Sequence, residues 1–91
     1  MRNMEWDPLV WQALKDAVSP MPPFVRKRAL QMIIEASESF AQERRSVIVQ
    51  EEDLVRAARE KTPALARQRM LDALAEQGIK VDDLGSTSWG G

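Results

Sequence analysis

From Phe24 to Arg45 the chain contains neither glycine nor proline and is rich in strong helix formers. Pro23 suits the first helical position, where its missing N–H would have no intrahelical partner anyway. On a helical wheel Val25, Ala29, Met32, Ile33, Ala36 and Phe40 form one apolar stripe. Leu30, Ile34 and Ala41 form a second stripe beside it. Together they span roughly 200°, about twice the apolar arc of an ordinary surface helix. A helix with so wide an arc needs neighbours on two sides, and the rest of the chain must supply them. Lys27, Gln31, Glu35, Glu38 and Gln42 form the polar back, expected to face water.

The flanking segments read as shorter helices. In Trp6-Asp7-Pro8, Asp7 caps, Pro8 takes the first turn, and Trp6 and Trp11 occupy the two positions of a hydrophobic staple. That helix is expected over Pro8–Val18, burying Val10 or Trp11, Leu14 and Val18. The three prolines of Ser19–Pro23 then form a stiff elbow. After Arg45, Ser46–Val49 is β-branched and extended, able to pair with another chain but too short for a sheet alone. Gln50–Asp53 opens a third helix with an acidic first turn but a poor cap in Gln50. Thr62-Pro63 opens a fourth, with Met70, Leu71, Leu74 and Ala75 inward and Gly78 as its left-handed terminator. Residues 1–5 read as a flexible N-terminus, 6–84 as one helical domain and 85–91 as a flexible tail. The fold class expected is all-α, a small bundle of about four helices around one long central helix, about two-thirds helical. The central helix should be the longest and most buried.

Composition narrows function. Thirteen basic and 14 acidic residues give a net charge of −1, which argues against a general nucleic-acid or anionic-membrane binder. Without cysteine there is no disulfide or thiol chemistry, and without histidine the commonest general base and metal ligand is missing. No catalytic residue, metal or cofactor is therefore expected. No apolar run approaches a membrane span, and Arg2 precedes no signal-peptide core, so a bacterial cytoplasmic location is expected.

Five cations are the partner-binding candidates: Arg26, Lys27 and Arg28 at one end of the long helix, Arg44 and Arg45 at the other. The helix dipole accounts for Arg44 and Arg45. Arg26 is different, because it falls inside the apolar arc at the unfavourable end. It calls for either an internal ion pair or carbonyl cap, or a partner protein. The carboxylates Glu51, Glu52, Asp53, Asp82 and Asp83 read as capping and solvated groups rather than a cation site. Met21, Met32 and Met70 read as packing filler, and Trp89 as part of the tail.

The run Trp6, Ala13-Leu14, Pro22-Pro23-Phe24-Val25-Arg26, Phe40-Ala41-Gln42-Glu43 and Val47–Leu54 resembles a known family. It is similar to the small helical domain at the C-terminus of the B subunit of light-independent protochlorophyllide reductase, which also occurs as short stand-alone bacterial proteins. The likeness covers about residues 6–59, and the Pro-x-Phe-Val-Arg element is its specific part. Here Gln50 replaces a threonine cap, Arg44-Arg45 stands where a glycine is common, and a fourth helix is added. The resemblance implies a non-catalytic accessory or protein-interaction module beside a nitrogenase-like, tetrapyrrole-reducing enzyme. Lacking cysteine, the chain cannot hold that enzyme's iron–sulfur cluster. A second likeness is to the histone fold, in which the strap pairs with a second chain and an arginine, here Arg45, reaches an aspartate, here Asp53. That likeness implies a self-associating structural module. The monomer is favoured over the homodimer, and no partner is identified.

Overall fold

The computed structural model describes residues 3–81. In order it contains β1 (Glu5–Trp6), α1 (Pro8–Val18), α2 (Pro23–Glu43), β2 (Ile48–Val49), α3 (Glu51–Lys61) and α4 (Ala64–Glu76). Helix makes up 72% of it, so the domain is a small all-α bundle with a two-strand parallel ribbon added. Among the described residues no helix is long and apolar enough to cross a membrane.

Local chemistry sets the helix ends. Asp7 accepts the Leu9 N–H at 2.9 Å to cap α1, and Trp6 meets Trp11 edge-on at 5.3 Å, the expected staple. At the start of α3 the capping works from the inside: Asp53, three residues in, accepts the Gln50 N–H at 3.0 Å. Gly78 ends α4 at φ +92. Its N–H bonds Ala75 O and the Ile79 N–H bonds Leu74 O, the paired closure of a left-handed C-cap.

The long helix closes the same way, but with Arg45 at φ 61 in place of glycine. Arg45 N–H donates to Gln42 O and Ser46 N–H to Ala41 O, both at 2.9 Å. A side chain in the left-handed region is strained. Arg45→Gly is therefore expected to raise the unfolding free energy by ~0.5–1 kcal/mol, measured by urea titration. A decrease would mean that the Arg45 side chain makes a stabilising contact of its own.

The core joins all four helices around Leu14, Val18, Leu54, Val55 and Leu74, with Val49 of β2. Helix α2 packs chiefly on α3, and α4 packs on α1 and α3. Ile33 and Ile34 are both buried, as the two stripes require. The first half of α2 is not. All seven of its buried residues lie from Ile33 onward, and Val25 and Met32, expected inside, are 38% and 42% exposed. The covering layers simply end there: α3 stops at Lys61, and α4 leaves α2 to pack on α1.

Glu38 departs in the opposite direction. Expected on the wet back of the helix, it is only 5% exposed. Its Oε2 accepts from Asn3 N at 2.8 Å, Met4 N at 3.2 Å and Trp6 Nε1 at 2.9 Å. Three donors satisfy the buried carboxylate and pin the N-terminal segment across that face. The stretch Met1–Glu5, expected to be loose, is thus held through its described residues, and Glu5–Trp6 pairs in parallel with Ile48–Val49. The strap finds its strand partner within its own chain. The expected tail at 85–91, including Trp89, lies outside the described residues, as do Asp82 and Asp83.

Candidate docking groove

The bare half of α2 faces the start of α4 across an apolar groove of about 390 Å³. Helix α4 buries Met70, Leu71 and Leu74 in the core, while Ala64–Arg69 all stand exposed. The break at Thr62-Pro63 makes this possible, since proline lets α4 start in a new direction instead of continuing α3. Val25, Ala29 and Met32 form one wall, Pro63 and Ala66 the other, and Ile33 and Met70 the floor. Phe24 at the start of α2 and Leu65 at the start of α4 are further exposed apolar residues on the same two helices.

Two cations stand at the rim, Arg28 on α2 and Lys61 at the end of α3. Thr62 also lines the groove; it is 8% exposed, and its Oγ1 is buried without a hydrogen-bond partner. A buried hydroxyl with no protein partner is uncommon in a folded domain. Apolar walls with a few polar groups are the makeup of a binding cleft.

The five candidate cations do not act together. Arg28 reaches the groove, whereas Lys27 is exposed on the opposite side of the helix. Arg26, half-buried, sends Nη1 to the carbonyls of Ser19 at 3.2 Å and Met21 at 3.5 Å. It braces the proline elbow by the carbonyl cap, the first of the two roles open to it. Arg44 is structural. Its Nε donates to Asp53 Oδ1 at 2.9 Å and its Nη2 to Asp53 Oδ2 at 2.6 Å, while Nη1 pairs with Glu52 at 3.1 Å. The hydrogen bond to Asp53, followed by the nearby carboxylate charges, holds the guanidinium above its ordinary pKa. The histone-like comparison placed Arg45 opposite Asp53; the structure corrects this to Arg44, because Arg45 occupies the left-handed turn that closes α2.

The acidic run is spent on the same tasks, Asp53 on capping and pairing and Glu52 on Arg44. Among the described residues no group of three metal-capable side chains converges. Lys61, Thr62 and Ala66 escaped sequence reading. The one available signal was that the apolar arc of α2 is wider than short neighbouring helices can cover. Met70 and Met21 pack in and against the core as expected of filler, while Met32 is exposed; all three also line the groove. Methionine suits a surface that must repack around a ligand.

No protein-family model, curated protein or solved structure matches the chain.

Proposed function

We propose that this chain is a non-catalytic interaction or accessory module of the cytoplasm that docks a partner protein in the groove between α2 and α4. One observation carries the reading: Val25 and Met32 stand exposed on a helix whose other half, from Ile33 onward, is buried in the core. Of the described helices α2 is thus the longest, as expected, but not the most buried. Apolar side chains clustered at an open cleft mark an interaction site, where single exposed ones would not. The resemblance supports the finer reading, in which the partner belongs to a nitrogenase-like, tetrapyrrole-reducing enzyme. Its specific element, Pro22–Arg26, borders the groove, with Val25 in the wall and Phe24 beside it.

Met32→Asp tests the docking role, since it charges an exposed wall residue without entering the core. Tagged wild type and variant should melt within a few degrees of each other. Proteins retained by the wild type from its native host should fall about tenfold with the variant, and the purified partner should rebind only the wild type. Equal retention by both forms counts against the groove. A nitrogenase-like subunit among the lost proteins supports the enzyme association.

A second reading, self-association in a histone-like arrangement, is favoured by the Arg44–Asp53 clamp between the end of α2 and the start of α3 on either side of the strap. The strap already pairs with β1 of the same chain, which favours a monomer. Sedimentation at micromolar concentration separates the two readings: a dimer that Ile48→Pro dissociates would place self-association first.

A further inference from the structure

Among the described residues, the only charged ones lining the groove are Arg28 and Lys61, both cations. Neither has a hydrogen-bond or ion-pair partner among the described residues. On α4, Ala66 and Met70 face the groove, so Arg67 and Arg69 flank that stripe, roughly 80° to either side. Both helices that form the walls also begin without a side-chain cap and without an acidic residue in the first turn. Their N-terminal partial charges are therefore unopposed by local carboxylates. Helix α3, which reaches the groove only with Lys61 at its far end, begins with three acidic residues. The carboxylates Glu35 and Glu60 lie in an adjoining hollow beside Phe40 that shares Met32 and Lys61 with the groove; they do not line the groove itself, and Glu60 is engaged by Arg56 at 3.1 Å. Field and lining together describe an apolar trough with a positive rim.

We infer that the groove receives the apolar face of an acidic amphipathic helix presented by a partner protein. The inference rests on the docking reading above and adds the chemistry of the occupant. Carboxylates on the flanks of that helix meet Arg28 and Lys61. The volume cannot take a whole helix, which is about 10 Å across, but it takes the anchoring side chains projected at i, i+3/4 and i+7. Exposed Phe24 and Leu65 on the same two helices add apolar surface that a small anion would not need. A second copy of this chain fits poorly, because the acidic start of its α3 is already engaged with Arg44.

The test is a display library of peptides about 16 residues long, enough for roughly four helical turns, selected on the full-length chain. Met32→Asp and the double variant Arg28→Glu/Lys61→Glu serve as counter-baits; all three positions are exposed, and thermal melts check that each variant folds. Winning peptides are synthesised with a fluorophore and titrated by anisotropy at about 0.05 and 0.3 M salt. Expected are peptides with helical apolar spacing and Asp or Glu on the flanks. They should bind at least about tenfold more weakly to Met32→Asp and to the double variant, and more weakly at high salt. Basic or uncharged winners lost on Met32→Asp would overturn the acidic-helix inference and leave the docking reading standing. An absence of Met32-dependent winners would overturn both. A Met32-dependent dimer in sedimentation would name a second copy as the occupant. Binders that emerge only once Asp82, Asp83 and Trp89 are replaced by alanine would name the chain's own C-terminal segment. Either of those results overturns the inference.

Discussion

Ile33→Ala is expected to lower the unfolding free energy by ~2–5 kcal/mol, the cost of a cavity at the middle of α2. Ile33 is 2% exposed and joins the core to the groove floor. The walls around it cannot collapse freely, because α2 is held along α3 by more than apolar contact. Arg56 of α3 stacks on Phe40 at 3.9 Å and pairs with Glu43 at 3.5 Å. For a domain of this size the loss corresponds to a melting-temperature drop on the order of 10 °C or more. Urea unfolding should show a lower midpoint with the slope unchanged. Ile34→Ala, on the second stripe, should cost a comparable amount. An unchanged midpoint for either would contradict the arrangement in which α2 buries both stripes.

Arg44→Ala should be nearly as damaging, by about 2–4 kcal/mol. Most of that cost falls on the residue left behind. Asp53 is 2% exposed, and without Arg44 its carboxylate stays buried with only the Gln50 N–H for a partner. Arg44→Lys should recover little, because Nε and Nη2 address the two carboxylate oxygens at once and a lysine cannot. The double change Arg44→Ala/Asp53→Ala should cost less than the sum of the two single changes, since it removes the orphaned charge. Strict additivity in that thermal or urea cycle would show that the pair does not clamp the end of α2 to α3.

Much of what is governed by neighbours a few residues apart could be read directly from the chain, the left-handed closure at Arg45 and the Asp53 cap on Gln50 being exceptions. The start of α1 at Pro8 follows from Asp7 and its proline, the start of α2 from Pro23, and the end of α4 from Gly78. Even the staple of Trp6 on Trp11 is a contact within one turn. Such features obey short-range sterics and hydrogen bonding, which are the same in any fold.

What failed to follow depended on partners distant in sequence. Glu38 lies on a polar helix face by every local criterion, yet its donors come from Asn3, Met4 and Trp6, more than 30 residues away. The strap offered strand character without indicating what it would pair with; the tertiary structure supplied Glu5–Trp6. Arg26 could brace or bind, and the path of the elbow decided for bracing. The groove is the clearest case. Sequence alone determined that α2 carries more apolar surface than short helices can cover. Only the tertiary structure decided which part stays bare, because that depends on the direction α4 takes after Pro63. That direction is set by where Met70, Leu71 and Leu74 can be buried against α1 and α3, a choice made by packing over the whole molecule.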